Sequence, residues 1–274
     1  MSAVFALLAS LIYGAADFYG GVAARRVSTI AVVFWSQLVG LVFGVAVSLL
    51  FPAAFLQTSD LVWGAIAGIV GTGGIYALYQ GLARGRMSVV SPLAALLSAL
   101  IPLGLGLSMG ERPLPLEWIG VLLALPAIWL VASGVSESAE SSGGVGHGIL
   151  AGLGFGLYFV ALAQTTDGAG FWPLVASRAA SSLVMAFALL ARRVPSPPSG
   201  TRLLVVLVGI GDIAANVFLL LAFRSGLLTL VSVLASLYPA ITVLLAVLIL
   251  KEPIAWRQRL GLGLAMAAVA LIAL

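Results

Sequence analysis

Residues 85–132 read GRMSVVSPLAALLSALIPLGLGLSMGERPLPLEWIGVLLALPAIWLVA, which is two apolar runs joined by a short charged turn around Glu111. The same pattern returns at residues 226–273, and adding 141 to each number aligns the two stretches without a gap. The matching polar and glycine pairs are Ser91 and Ser232, Glu111 and Glu252, and Gly120 and Gly261. Because Leu and Ala matches mean little in so apolar a chain, these three pairs carry the evidence for an internal repeat.

The repeat also extends toward the N-terminus. Further pairs at the same offset are Gly68-Ile69 with Gly209-Ile210 and Ser36 with Ser177, and Leu8-Ala9 meets Leu150-Ala151 at an offset of 142. The sequence therefore predicts one half-molecule written twice. Residues 1–135 form the first copy, residues 136–146 (SESAESSGGVG) form a flexible linker, and residues 147–274 form the second copy.

The composition predicts that lipid surrounds most of the chain. Of the 274 residues, 62% are hydrophobic and 8% are charged, whereas a soluble domain has about 25% charged residues. A lipid environment offers backbone groups no hydrogen-bond partners, so the spanning segments are expected to be helices. We predict an all-α polytopic membrane protein with ten transmembrane helices, at residues 3–24, 29–51, 60–82, 87–109, 115–134, 147–166, 171–191, 201–223, 227–250 and 256–273.

Five spans in each copy is an odd number, so the second copy is expected to enter the membrane the opposite way up. Two inverted five-helix repeats are typical of secondary transporters, whose substrate site lies near the middle of the membrane between the halves. This step from architecture to function is a fold-level analogy.

The charges of the connections predict the orientation. Connections after spans 1, 3, 5, 7 and 9 carry ten Lys and Arg residues, and the other connections carry only Arg112 and Arg224. The positive-inside rule places the rich side in the cytoplasm, so both termini are expected outside the cell membrane.

The duplicated turn with its flanking spans carries a family resemblance. The segments MGERPLPLEWIG, at residues 109–120, and LKEPIAWRQRLG, at residues 250–261, resemble the EamA domain of the drug/metabolite transporter superfamily. The resemblance covers essentially the whole chain as two EamA repeats, and among members the chain is similar to YddG-type bacterial exporters of amino acids. It implies a multi-pass protein of the bacterial cytoplasmic (inner) membrane. Members are often drawn with both termini in the cytoplasm, opposite to the charge count above.

Only three charged residues lie more than four residues from both ends of a predicted span, namely Asp17, Arg178 and Asp212. Charges at membrane depth normally face a cavity or a partner, so these residues are candidates for the transport site. Tyr13 lies one turn before Asp17, and Asn216 lies one turn after Asp212, on the same helix faces. The structural alternatives are that Arg178 reaches the membrane interface or ties down a neighbouring helix, and that Asp17 caps or braces a helix near its end.

Aromatic and amide side chains extend the candidate set. Tyr76, Tyr79 and Gln80 are spaced to share one helix face, and Tyr158 and Tyr238 lie near the middle of their spans. Rings with hydrogen-bonding tips suit a small amphipathic solute. The alternative for the first three residues is an aromatic belt at the membrane interface.

The residues exclude several other classes of function. There is no cysteine, no Walker-type phosphate loop, no metal-ligand spacing and no nucleophile elbow, so we expect neither a cofactor nor an enzyme. The net charge of +4 forms no basic stripe that would suit nucleic acid. The expected partners are a small-molecule substrate such as an amino acid and the lipid bilayer, with no oligomer required.

The main alternative is a flippase or carrier of lipid-linked or nucleotide-sugar-type solutes, which predicts a lateral opening and a strongly polar or basic cavity. Glu111 and Glu252 occupy equivalent turns. For both we favour capping of the following span, through the helix dipole and free N–H groups, over gating.

Overall fold

The computed structural model describes residues 1–83, 87–132, 143–250 and 255–273. These residues form α-helices and one 3-10 helix, Asp167–Ala169, and contain no β-strand. The α-helices are α1 Ser2–Ala24, α2 Thr29–Leu50, α3 Thr58–Ala83, α4 Met87–Ser108, α5 Pro115–Ala132, α6 Gly143–Ala163, α7 Trp172–Ala191, α8 Ser199–Ser225, α9 Leu228–Ala235, α10 Tyr238–Leu250 and α11 Trp256–Ala273.

Among the described residues, six helices are long and apolar enough to cross a membrane, judged by length and composition, namely α1, α2, α3, α6, α7 and α8. The exterior of α7 illustrates the solvent that they require. Leu183, Phe187 and Leu190 of this helix are 71%, 76% and 73% exposed. Such an apolar outer face would be unfavourable in water and is compatible with lipid. The predicted all-helical class is therefore confirmed for the described residues.

The predicted ninth span, residues 227–250, was wrong as a single helix, because the structure divides it into α9 and α10. Pro239 has no N–H group, and its ring would collide with the carbonyl of Ala235, where α9 ends. At the equivalent position the first copy has Ser98, and α4 continues through it without a break. The Ser98 hydroxyl lies 2.9 Å from that of Ser236, beside the break.

Two glycines of the repeat let helices of opposite halves approach closely. A methyl group on Gly68 of α3 would lie 2.1 Å from the carbonyl oxygen of Ser177 in α7. The equivalent Gly209 of α8 has the same relation to Ser36 of α2, at 2.5 Å. Small residues commonly permit such contacts between membrane helices. The sequence repeat is thus matched by a repeated contact.

The contacts between α2 and α7 give the relative direction of these two helices. Gln37 of α2 accepts a hydrogen bond from Ser181 of α7 at 3.1 Å. Seven residues later in α2, Gly44 faces Val175, which lies earlier in α7. Residue numbers therefore increase along one helix as they decrease along the other, and the two helices run antiparallel.

Glu111 caps a helix, but not the following span that the sequence predicted. Its carboxylate accepts hydrogen bonds from the N–H groups of Leu228 and Thr229, at 2.7 and 2.8 Å, which begin α9 in the other half. The cap of the following helix, α5, comes from Glu117, whose carboxylate accepts a bond from the Leu114 N–H at 2.5 Å. Glu252 lies outside the described residues.

A second carboxylate links the halves through the connection between α6 and α7. Asp60, near the start of α3, is fully buried. It accepts bonds from the Thr166 N–H and hydroxyl at 2.7 and 3.0 Å and from the Gln57 N–H at 3.0 Å. Arg224 donates to the carbonyl oxygens of Thr166 and Gly170, at 3.2 and 2.6 Å. Asp60 and Arg224 together fix this connection against the start of α3 and the end of α8.

Replacing Glu111 with glutamine should lower the free energy of unfolding by about 1–2 kcal/mol. A glutamine has one acceptor oxygen and would turn its NH₂ group toward the second N–H donor. Glu117→Gln is the matched control, since the bond that its carboxylate accepts from the Leu114 N–H is exposed to solvent and lies within its own half, and we expect a change of about 0.5 kcal/mol or less. Equal stability of the two variants in denaturant titrations would contradict a role for Glu111 in joining the halves.

Candidate functional site

A cavity lies between helices of both halves of the chain. The lining combines charged, amide and hydroxyl groups with aromatic rings and small residues. The lining residues are Tyr13, Asp17, Gln37, Gly68, Gly71, Thr72, Ile75, Phe155, Tyr158, Phe159, Ser177, Arg178, Ser181, Asp212, Asn216 and Tyr238.

A buried ion pair forms one wall of the cavity. The guanidinium of Arg178 on α7 lies 2.6 Å from the carboxylate of Asp212 on α8. The two residues are 4% and 7% exposed. Water screens such a pair little, so removing either partner would leave an uncompensated charge at high cost. Arg178 is therefore buried rather than at an exposed interface, and it ties α7 to the neighbouring α8, as the second structural alternative requires.

Gln37 of α2 brings the first half into contact with this pair. Its side-chain oxygen accepts a hydrogen bond from the Arg178 guanidinium and another, at 3.1 Å, from the Ser181 hydroxyl. Gln37 and Arg178 are separated by 141 residues, so they are equivalent positions of the two copies that touch each other. Because these equivalent positions contact each other, the two copies meet at this side of the cavity.

Asn216 connects the ion pair to the tyrosines. Its side-chain oxygen accepts a bond from the Tyr13 hydroxyl at 2.7 Å and another from the Tyr158 hydroxyl. Its NH₂ group donates to the carbonyl oxygen of Asp212 at 2.7 Å and to the carboxylate at 3.3 Å. Three helices, α1, α6 and α8, thereby position one continuous polar network along the cavity wall.

Further polar groups near the cavity have no hydrogen-bond partner among the described residues. The hydroxyl groups of Tyr79 and Tyr238 and the Nε–H group of Arg178 are buried and unpaired. Asp17 is 8% exposed, and no hydrogen bond or ion pair to its carboxylate is found in the described part of the chain. An unsatisfied buried group costs about 1–3 kcal/mol, and more when it is charged. Asp17, Arg178 and Tyr238 line the cavity and are therefore available to a ligand that enters it, whereas Tyr79 is not part of the lining.

The structure brings most of the predicted site residues together. Seven of the ten line the cavity, and the others are Tyr76, Tyr79 and Gln80. Tyr79 is fully buried, with its hydroxyl against Gly20 of α1. Tyr76 and Gln80 are half-buried and bond to each other at 3.1 Å. These three side chains were predicted to share one helix face, but they do not share one environment in the structure.

Sequence reasoning missed part of the lining. Gln37, Ser177 and Ser181 contribute polar groups, and Phe155 and Phe159 contribute rings. The offset of 141 did point to Gln37 and Ser177, because they are equivalent to Arg178 and Ser36. The two phenylalanines carried no signal, since apolar residues are abundant in every span.

Comparisons with known proteins place this fold in a wider group. A solved structure titled "Crystal structure of protein" is similar in fold, with a TM-score of 0.75 and 20% sequence identity over 98% of this chain and 95% of that one. No curated protein matches the sequence. The model of the EamA-like transporter family matches residues 1–133 and again residues 142–274. The family match covers both halves, and the described residues include six long apolar helices and a polar cavity. The protein is therefore a multi-pass membrane transporter of small solutes rather than an enzyme, and the chain belongs to the EamA-like transporter family.

Proposed function

We propose that the protein is a secondary transporter of small amphipathic metabolites, in the first place an exporter of amino acids as in YddG-type members. Substrate would bind in the central cavity, and alternating access would expose the cavity to each side of the membrane in turn. The single observation that carries this proposal is the buried cavity, which both halves line with polar groups and rings. Polar groups that are costly to bury in lipid are explained by a solute that uses them.

The transport cycle that we propose depends on two inverted repeats, comprising residues 1–135 and 147–274 with a linker at residues 136–146. Repeated contacts favour this arrangement, since Gly68 meets Ser177 as Gly209 meets Ser36. The antiparallel course of α2 and α7, which are equivalent helices, is the relation that an inverted repeat requires. Inverted halves can exchange conformations around a fixed site, and this exchange is the basis of alternating access.

The cavity chemistry disfavours the alternative of a flippase or carrier for nucleotide-sugar or lipid-linked solutes. Such solutes carry phosphates, which call for an excess of basic groups. The charged residues of the lining are two carboxylates and one guanidinium, a formal sum of −1. An anionic substrate would meet repulsion from Asp17 and would have to displace Asp212 from Arg178.

Transport by the purified protein in liposomes tests the proposal. Uptake of labelled amino acids should be higher in liposomes that contain the protein than in protein-free liposomes. Asp212→Asn should lower the initial rate of uptake at least about tenfold, because an Arg178 without its partner reorganises the site. Tyr79→Ala should also lower the rate. Tyr19→Phe is the control, since Tyr19 packs on Phe18 outside the cavity. No uptake across a broad amino-acid panel by folded protein would contradict the amino-acid assignment.

We also propose that both termini lie in the periplasm, with the ten-charge side of the connections in the cytoplasm of a bacterial inner membrane. The chain has no cysteine, so single cysteines can report the orientation without background. A cysteine at Ser2 should react with an impermeant thiol reagent added to intact cells. A cysteine at Ser138, in the linker, should react only after lysis, and the opposite pattern would reverse the orientation.

A further inference from the structure

Asp17 of α1 is the strongest candidate for a specific substrate contact that the polar network leaves unused. It lines the cavity, is 8% exposed, and has neither a hydrogen bond nor an ion pair among the described residues. The described part of the chain contains two ion pairs, Arg178–Asp212 and Arg224–Asp167, and neither involves Asp17. A carboxylate in this position can bind a positively charged group of a ligand.

Two tyrosines with unpaired hydroxyl groups approach α1 one turn to either side of Asp17. Gly20 lies one turn after Asp17 on α1, and a methyl group there would lie 2.2 Å from the Tyr79 hydroxyl oxygen. Gly14 lies one turn before Asp17, and a methyl group there would lie 2.5 Å from the backbone oxygen of Tyr238. The missing side chains of these glycines allow both tyrosines to approach α1 on either side of Asp17.

We propose that Asp17 and Tyr238 form a subsite for a primary ammonium group of the transported solute. A primary ammonium has three N–H donors and no acceptor, and the subsite offers three acceptor atoms, the two carboxylate oxygens of Asp17 and the hydroxyl oxygen of Tyr238. The tyrosine ring adds the attraction that aromatic faces exert on cations. This inference rests on the transport function proposed above and adds that the amino group, rather than the carboxylate, selects the substrate.

The charge of the cavity supports recognition of the amino group over the carboxylate. Arg178 is already bonded to Asp212 and Gln37, so a substrate carboxylate would have to compete with an existing ion pair. The formal charge of −1 in the lining is neutralised by one ammonium. Amines that lack a carboxylate should therefore bind at least as well as the corresponding amino acids.

Calorimetric titration of the detergent-purified full chain tests this inference, in an amine-free phosphate buffer. The probes are 2-phenylethylamine, 3-methylbutylamine and hexylamine, with N-acetyl-2-phenylethylamine and trimethyl(2-phenylethyl)ammonium as matched controls. We expect at least one amine to bind, and both matched controls to bind at least about tenfold more weakly than 2-phenylethylamine or not at all. Failure of all three amines, or equal binding of either matched control, would overturn the subsite.

Variants assign the effect to the named groups. Asp17→Asn should weaken amine binding at least about tenfold, and Tyr238→Phe should weaken it about three- to tenfold. Tyr19→Phe should stay within about twofold, because its hydroxyl lies outside the cavity. If Asp17→Asn does not fold, Tyr238→Phe decides, and unchanged binding in this variant would overturn the inference.

The outcomes separate this inference from the proposed function. Amine binding without transport of any solute in liposomes would remove the transport proposal and leave the subsite. Transport of amino acids that is unaffected by Asp17→Asn, with N-acetylated amino acids carried equally well, would retain the transporter and overturn the ammonium subsite.

Discussion

The Arg178→Met variant is expected to lose about 3–5 kcal/mol of its free energy of unfolding, because Asp212 would remain buried without its partner. Methionine keeps much of the volume of the arginine stem, so the effect reports the lost charge more than a lost contact. Gln37 would also lose one of its two donors. Titration with a denaturing detergent, followed by tryptophan fluorescence, measures the change.

A double variant distinguishes the charge from the packing. Arg178→Met combined with Asp212→Asn removes both charges and keeps an acceptor for Asn216, so it should be more stable than Arg178→Met alone. Arg192→Met is the control, since Arg192 is exposed just beyond α7, and we expect a change of about 0.5 kcal/mol or less. A double variant as unstable as the sum of the single variants would show that the two side chains act independently.

Replacing Gly68 with alanine should destabilise the protein by about 3 kcal/mol, the upper part of the range for overpacked cores. The added methyl group would lie 2.1 Å from the Ser177 carbonyl oxygen. The atom that it meets belongs to the backbone, so no side-chain rotation relieves the clash, and α3 must move away from α7. Because this contact joins the halves, the same variant should lower transport.

Two matched comparisons support this prediction, one at the equivalent position of the repeat and one in the same helix. Gly209→Ala places a methyl group 2.5 Å from the Ser36 carbonyl oxygen and should be destabilising in the same way. At Gly73, in the same helix as Gly68, an added methyl group meets nothing within 4 Å. Gly73→Ala should leave stability unchanged or raise it by up to about 1 kcal/mol. If all three variants have equal unfolding midpoints, the close approach is not important for stability.

The helices could be predicted closely because lipid leaves the backbone few choices. Apolar runs near 20 residues gave the positions of most helices within a few residues, since every N–H and C=O group in lipid must be paired inside the helix. The break before Pro239 was harder to predict. Pro126 lies inside α5 without ending it, so a proline alone does not determine whether a helix breaks. Neighbouring helices decide, and the sequence does not show them.

The cavity was predictable as a set of residue types but not as a network. Charged residues inside spans are so costly that Asp17, Arg178 and Asp212 were identifiable without a structure. Which of these residues pair with each other was not identifiable from the repeat. The positions of the first copy that are equivalent to Asp212 and Asn216 are Gly71 and Ile75, which have no polar side chain. The rotation of each helix about its axis decides contacts, and in α3 it separates Tyr79 from Tyr76 and Gln80.

The two copies carry different residues at one equivalent position, and this difference has a thermodynamic consequence. In the proposed cycle, two identical halves would make the inward-open and outward-open forms equal in free energy. The second copy has Pro239 and a broken helix where the first has Ser98 and a continuous one, so exchanging their conformations does not regenerate the same molecule. A resting preference of the empty carrier for one side of the membrane can therefore be encoded by the chain itself, before any solute or ion gradient acts on it.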